Sequence, residues 1–281
     1  MVARQLCFIP SCAKLSAMLS IQPVSRADQT RSIGAHSDQT AGAMELYLIR
    51  HAQSSNNALA DERERVCDPH LTELGRQQAE LLAAHLAIGP DLHPIRPWLT
   101  LSGANGHGYG ITRLYTSPMR RCLQTAQSIG RELGLTPEVW VDIHEQGGIW
   151  LDHGEEVGRR GYPGITRSEL LAEFPGYGVP DRVGEAGWWR GAYEDITAAA
   201  ARAERVAETL RDWGARDEKI ALVSHGAFGS LLLSALLGKA MQPVYYHLDN
   251  TSISLIRFRR VNEISVRYLN RLAHLPPEMV T

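Results

Sequence analysis

The chain has 281 residues, 44% of them hydrophobic, and a formal net charge of -2. It is long enough to bury a sizeable core, either as one large α/β domain or as a domain that carries an insertion. Because the net charge is near zero, no global positive field attracts nucleic acid or an anionic membrane, and any anion must bind at a local site. The four cysteines form no CxxC pair, and no two histidines stand at helical spacing beside a carboxylate, so no metal is expected.

Residues 1–43 differ in composition from the remainder. The first 27 contain three basic side chains and no acidic one, which is typical of an organelle transit peptide. The alternative is a disordered or wrongly included extension, since Met44 stands directly before the first predicted strand. We expect a cytoplasmic location, or a chloroplast or mitochondrion if the segment is a transit peptide. The apolar stretch Leu15–Ile21 is too short to span a bilayer, and no membrane partner is expected.

The first predicted strand, Leu46–Ile49, ends in Arg50 and His51. Its apolar run indicates burial on both faces, and in open α/β sheets ligands bind beyond the carboxyl ends of such strands. Arginine can hold two phosphate oxygens at once, and a neutral imidazole can act as a nucleophile. The pair therefore predicts a phosphate site, with a capping arginine and a structural histidine as the alternative.

Two helices are predicted next. The first begins after its N-cap Thr72, and the second follows Ser117-Pro118 and places Arg121 in its first turn. There the guanidinium and the free backbone N–H groups of the helix can both face an anion. The glycine- and proline-rich segment between the helices, at about 88–110, is predicted to be a surface insertion, because no strand leads into its glycines.

Two later strands also end in candidate site residues. Glu145 follows the predicted strand Glu138–Asp142, and a carboxylic acid there can protonate a leaving alkoxide. The central strand Lys219–Ser224 ends in His225 and Gly226, before an apolar helix predicted from Ser230 to Leu237. Gly226 permits a close approach of backbone N–H groups to an anion, and His225 can donate to the same group.

The segment from about 151 to 190 is predicted to be an inserted, lid-like segment that selects the substrate. Arg160 is the candidate there for a second anionic group, while Trp188 and Trp189 either stack on a ligand or pack the segment onto the domain. A helix, Tyr193–Trp213, follows, and a hairpin closes the chain. Together these elements predict an α/β fold: a three-layer, doubly wound, mostly parallel sheet with helices on both faces, over residues 44–281.

The ordered motifs make the chain similar to the histidine phosphatase superfamily, in its phosphoglycerate mutase-like branch. The resemblance covers about residues 44–269 and includes the run Asp68–Ala79, which matches the first-helix signature of the family. It implies that His51 becomes phosphorylated and that no metal or other cofactor is needed. It also implies a phosphate pocket of Arg50, Arg121, His225 and Asn57, with Glu145 as proton donor. Neighbouring guanidinium groups should keep His51 neutral near pH 7.

The expected activity is hydrolysis of small phosphomonoesters through a phosphohistidine. Phosphoglycerate mutase-type transfer is an alternative, which Asn56 and the run Gln146-Gly147-Gly148 weaken because mutases usually carry other residues there. Ala52 replaces the commoner glycine after the histidine, a change that should preserve the turn. A catalytically weak domain that binds a phosphorylated ligand is a further alternative. The oligomeric state, a dimer included, and the physiological substrate stay open.

Overall fold

The computed structural model of the protein describes residues 44–89, 108–238, 244–260 and 263–281. The predicted extension, residues 1–43, and most of the predicted insertion at 88–110 lie outside the described residues. Within the described ranges, no helix is both long enough and apolar enough to cross a membrane.

A six-stranded sheet forms the centre of the described chain. Its strands are β1 (Met44–Arg50), β2 (Arg113–Thr116), β3 (Pro137–Val139), β6 (Lys219–Ser224), β7 (Ile253–Arg260) and β8 (Glu263–Arg271), while β4 (Trp150–Asp152) and β5 (Arg159–Gly161) form a separate antiparallel pair. The spatial order is β3-β2-β6-β1-β7-β8. The first four strands in that order are parallel to one another. Strand β7 is antiparallel to β1, and β8 is antiparallel to β7. The predicted mostly parallel sheet and closing hairpin are confirmed.

Helices cover both faces of the sheet, and the alternation of side chains along β1 shows why. Leu46 and Leu48 pack into one apolar cluster, and Tyr47 and Ile49 into another on the opposite face. The second cluster includes side chains of α1 (Glu73–Ile88) and α2 (Arg120–Leu133), and the first includes those of α4 (Ile196–Trp213) and α5 (Gly226–Leu237). The predicted three-layer α/β architecture is therefore present.

The helix predicted over Tyr193–Trp213 begins at Ile196, and two boundaries beside Glu145 and His225 also differ from the sequence prediction. The strand predicted over Glu138–Asp142 ends at Val139, because the chain then forms a 3-10 turn, Val141–Ile143, that buries two apolar side chains. Glu145 consequently follows that turn and not a strand. Helix α5 begins at Gly226, four residues before the predicted start, with His225 as its N-cap residue.

The segment predicted to be a lid contains β5 and a short helix, α3 (Arg167–Glu173). Phe174 and Trp188 of this segment are buried in a third apolar cluster, together with Met119 and Leu123 at the start of α2. Trp188 thus packs the segment onto the domain. Neither it nor Trp189 lines the cavity beside His51.

Candidate active site

The parallel pairing of β1 with β6 brings two histidines together at the carboxyl edge of the sheet. Arg50 is in register with Ser224, so the next residue of each strand, His51 and His225, emerges beside the other. The backbone N–H of His51 donates to the Ser224 carbonyl at 2.9 Å, and the imidazole centroids are 5.2 Å apart. This edge is where ligands bind in open α/β sheets.

The hydrogen bonds of His51 define its tautomer. Nδ1 lies 2.7 Å from the carbonyl oxygen of Ala52, which can only accept, so Nδ1 carries the hydrogen. The Nε–H of Arg121 donates to Nε2 at 3.1 Å, and a guanidinium has no acceptor, so Nε2 carries a lone pair. Nε2 is therefore the nucleophilic nitrogen of this ring.

The surroundings of His51 also keep it uncharged. The ring is only 3% exposed, and burial lowers its pKa well below the ordinary value of 6.5. The positive charges of Arg121 and Arg50 lower the pKa further, against a smaller opposing effect of the Ala52 carbonyl. The ring consequently remains neutral, and able to attack, in conditions where a solvent-exposed histidine is protonated.

Arg50 presents a donor that has no protein partner. Its Nη1 donates to the carbonyl of Leu248 at 2.6 Å, but its Nε is buried and finds no acceptor among the described residues. Burial lowers the pKa of the guanidinium, and the negative charge of Glu145 partly opposes that effect. A buried N–H without a partner is costly, so an anion bound here would satisfy it.

The amide of Asn57 is held by its oxygen. Oδ1 accepts hydrogen bonds from the backbone N–H and the hydroxyl of Ser54, at 3.0 and 2.9 Å, and lies 3.5 Å from Nδ2 of Asn250. Since the oxygen is engaged, Nδ2 of Asn57 is the group left to donate to a ligand.

Glu145 is bound to the N-terminus of α5. Its Oε1 accepts from the backbone N–H of Phe228 at 2.8 Å and of Gln146 at 2.9 Å, and its Oε2 accepts from Ala227 at 3.3 Å. These N–H groups, which sequence reasoning assigned to an anion near Gly226, thus hold the carboxylate instead. The helix N-terminus suits a negative charge.

Gly226 leaves space for a side chain of the site. A Cβ at this position would lie 3.4 Å from Nε of Arg50, so the missing side chain leaves room for the guanidinium against the start of α5. The structure does not place Gly226 among the residues that line the cavity.

His225 lies behind His51 and is fully buried. Its Nε2 is 2.8 Å from the hydroxyl of Ser117 and 3.4 Å from the thiol of Cys122. Burial, followed by the charge of Arg121, lowers its pKa well below 6.5. In the structure His225 packs against the nucleophilic ring and does not line the cavity.

A cavity of about 260 Å³ brings together five of the predicted site residues, Arg50, His51, Asn57, Arg121 and Glu145. Arg160 is not among them, since its guanidinium lies on the exposed strand β5, 5.8 Å from the ring of Tyr162. Sequence reasoning missed the other lining residues because nothing in their types sets them apart: Ser54, Asn56, Arg65, Val66, Cys67, Pro69, Gln146, Gly148, Trp150 and Ala227.

We searched the described residues for side chains that could ligate a metal ion. In the ranges that the structure describes, no group of three or more histidine, cysteine, aspartate or glutamate side chains is arranged to hold a metal ion.

Known proteins resemble the chain in sequence and fold. Phosphoserine phosphatase 1 of Hydrogenobacter thermophilus is 26% identical over 240 residues, which is 83% of this chain and 94% of that protein. The phosphoserine phosphatase of Entamoeba histolytica, solved with 3-phosphoglyceric acid, has a TM-score of 0.52 at 21% identity and covers 83% of this chain and all of its own. The ecdysone phosphate phosphatase of Bombix mori, solved with tungstate, has a TM-score of 0.54 at 15% identity, covering 83% and 94%. The two solved structures share the fold.

The family model described as histidine phosphatase superfamily (branch 1) matches residues 46–93 and 102–271. That match spans β1 with Arg50 and His51, α2 with Arg121, and β6 with His225. The chain belongs to the histidine phosphatase superfamily, branch 1.

Proposed function

We propose that the protein hydrolyses phosphate monoesters through a covalent phosphohistidine on His51. The observation that carries the proposal is the lone pair on Nε2 of His51, which accepts from Arg121 in a cavity that Arg50 also lines. A neutral nucleophile beside fixed positive charges suits attack on a dianionic phosphate, because the charges attract the ester without protonating the nucleophile.

In the first step, Nε2 of His51 attacks phosphorus while the bond from phosphorus to the ester oxygen breaks. The Nε–H of Arg121 loses Nε2 as its acceptor when the new bond forms, and a phosphoryl oxygen takes its place. Arg50 and Arg121 bind the equatorial oxygens as charge moves onto them. Nδ1–H of His51 keeps its bond to Ala52, which stabilises the phosphorylated ring.

Glu145 moves the proton in both steps. Glu145 takes up a proton when the anionic ester binds beside it and delivers that proton to the leaving oxygen, a contribution of about 10² to 10⁴ in rate for general acid catalysis. As the resulting carboxylate it takes a proton from the water that attacks the phosphohistidine, which returns His51 to its neutral form and releases phosphate. Its hold on the N-terminus of α5 fixes its position for both roles.

The substrate we propose is a small phosphorylated molecule. The related proteins are named for phosphoserine and ecdysone phosphate, and one was solved with 3-phosphoglyceric acid. A cavity of about 260 Å³ beside His51 has room for a phosphoryl group and a small part of the leaving group.

The test uses 4-nitrophenyl phosphate as a general substrate. The His51→Ala variant is expected to lose hydrolysis down to the rate without enzyme, while His247→Ala, whose side chain is exposed and does not line the cavity, keeps the wild-type rate. Substrate carrying a radiolabelled phosphoryl group should label the wild-type protein and not His51→Ala. The reaction is stopped rapidly without acid, which preserves the phosphohistidine.

Two results would overturn the proposal. One is substantial hydrolysis by His51→Ala, and the other is a wild-type protein that turns over without ever carrying label. Transfer of the label to a second substrate molecule faster than to water would assign the mutase alternative instead.

A further inference from the structure

A second cavity, of about 690 Å³, adjoins the catalytic one. Arg65 and Trp150 line both cavities, so the two meet at these side chains. The β4–β5 pair supplies several lining residues of the second cavity, Asp152 and Arg159 among them. A molecule whose phosphate reaches His51 can therefore extend its remaining atoms past Arg65 into this space.

Arg65 differs from its neighbouring arginines in having no polar partner. Arg63 pairs with Asp61 at 2.6 Å, and Arg159 lies 3.8 Å from Asp152. In the described part of the chain, the side chain of Arg65 makes neither a hydrogen bond nor an ion pair, and its guanidinium carbon lies 6.0 Å from the centre of the Trp150 ring. Its planar fork of donors is thus free to bind a ligand at the junction of the cavities.

Trp150 is held as a rigid wall for that ligand. Its ring contacts Tyr193 edge to face, with centroids 4.9 Å apart, and the guanidinium of Arg159 lies over both rings, at 5.1 and 4.3 Å. Such stacking orders the aromatic side chain before a ligand arrives.

The charges around the second cavity favour a single negative charge on the ligand. Its lining contains three guanidinium groups, of Arg63, Arg65 and Arg159, and two carboxylates, of Glu62 and Asp152. Arg63 pairs with Asp61 and Arg159 faces Asp152, so the charged lining side chains left without an ion-pair partner among the described residues are Arg65 and Glu62. A carboxylate matches the planar fork of Arg65 with one negative charge, whereas a second phosphate group would bring nearly two charges close to Glu62.

We infer that the second cavity binds the leaving group of the substrate and that Arg65 pairs with a carboxylate on it. The inference rests on the proposed function and names its substrate class: phosphate monoesters of small carboxylic acids. It also moves the predicted second anion-binding residue from Arg160 to Arg65. The pair forms in the ground state and the transition state alike, so Arg65 should act on KM more than on kcat.

The experiment compares two esters that differ in one group. 3-Phosphoglycerate carries a carboxylate where glycerol 3-phosphate carries a hydroxymethyl group. The Arg65→Gln variant is expected to raise KM for 3-phosphoglycerate about tenfold or more, which is the usual worth of a charged hydrogen bond, and to change KM for glycerol 3-phosphate less than about twofold. Arg205→Gln, at an exposed arginine on α4, is the matched control and should change neither.

Arg160→Gln is measured in the same assays, because Arg160 is the competing candidate for the residue that binds the carboxylate. A rise in KM for 3-phosphoglycerate with Arg160→Gln and not with Arg65→Gln would overturn the inference, and so would an equal change for both esters. Wild-type hydrolysis of 4-nitrophenyl phosphate, with its loss in His51→Ala, is measured in parallel. If that control holds and the Arg65 result fails, only the leaving-group site is wrong; if the control fails, the proposed function is wrong.

Discussion

Two hydrogen bonds determine which nitrogen of His51 can attack phosphorus. The carbonyl of Ala52 takes the hydrogen on Nδ1, and Arg121 donates to Nε2, so both neighbours select the same tautomer. Arg121 has two effects on the ring: its donor orients the lone pair, and its charge lowers the pKa. We therefore expect the resting protein to contain one tautomer of His51, and that tautomer to be neutral.

This expectation can be measured by nitrogen-15 NMR of the imidazole. At about pH 5.5, where an unperturbed histidine is mostly protonated, His51 should still be neutral with its hydrogen on Nδ1. Because burial is the largest cause of the low pKa and Arg121 the next, Arg121→Met should raise the titration midpoint only part of the way toward 6.5. A wild-type midpoint near 6.5, or a hydrogen on Nε2, would contradict the structural interpretation.

The Arg50-His51 pair could be predicted because a strand followed by two polar residues is a local pattern. Arg121 could be predicted for the same reason, from the first turn of a helix. Arg65 could not, because its neighbours Glu62, Arg63 and Glu64 look like an ordinary solvated surface. Only the folded chain shows that Trp150, 85 positions later, lies beside it.

At the scale of elements, α4 fixes the loop that carries Glu145. Nη1 of Arg202 donates to the carbonyls of Asp142 and His144, at 2.8 and 2.9 Å, and its other nitrogens bind Glu194. The guanidinium also lies 4.4 Å from the centre of the Phe228 ring, whose backbone N–H binds Glu145. Arg202 is only 3% exposed, so water has little access to replace its hydrogen bonds if the side chain is shortened. We regard Arg202 as a positioning residue for Glu145.

We expect Arg202→Lys to impair proton transfer more than nucleophilic attack, because lysine lacks the planar fork that binds both carbonyls and Glu194. The rate constant kcat should fall about tenfold or more for glycerol 3-phosphate, whose alkoxide needs a proton to leave. It should fall much less for 4-nitrophenyl phosphate, whose phenolate leaves readily without one. Glu145→Gln is the reference variant, and its kcat should likewise fall more for glycerol 3-phosphate than for 4-nitrophenyl phosphate.

Arg205→Lys provides the control on the same helix, since the side chain of Arg205 is exposed and, among the described residues, donates only to a carbonyl within α4. Equal losses on both substrates for Arg202→Lys would show that the residue supports the fold and does not position Glu145. A melting curve for each variant separates that outcome from simple unfolding.

The helices could be predicted from the sequence more accurately than the boundaries of the elements beside the site. The helices were predictable from apolar spacing and caps such as Thr72, whose hydroxyl accepts from Gly75 as expected. The strand predicted over Glu138–Asp142 is too long, because Val139 and Val141 fit the alternation of a strand although Val141 is buried by a 3-10 turn. The early start of α5 depends on Glu145, which binds its first N–H groups from 82 and 83 residues away.

At the scale of the whole molecule, the fold buries several histidines in their neutral form. Burial is the largest cause of a lowered pKa in each, and for His144, which is 3% exposed, the pKa falls to about 4. The same direction holds for four others: His51, His85, His225 and His274. Asp68 acts in the opposite direction, because burial raises its pKa and the folded chain then binds a proton more readily.

These histidines should make the free energy of unfolding depend on pH. A histidine with a lower pKa in the folded chain takes up a proton when the chain unfolds, so unfolding becomes easier as pH falls through about 6.5. From about pH 6 down to about pH 5, His144 alone should contribute up to about 1.4 kcal/mol per pH unit. We therefore expect the free energy of unfolding to be nearly constant between about pH 7.5 and pH 8 and to decrease steadily below about pH 6.5.

Denaturant titrations between about pH 5 and pH 8 would measure this slope. His144→Gln should unfold more easily than the wild type near neutral pH, because it loses the bond from Nδ1 to the Val141 carbonyl. Its slope below about pH 6 should nevertheless be smaller, by about one proton, while the two proteins run parallel above about pH 7.5. A wild-type stability that rises as pH falls from 7 to 5 would mean that the folded protein takes up protons first, and hence that these rings are not buried in the neutral form that His51 needs for attack.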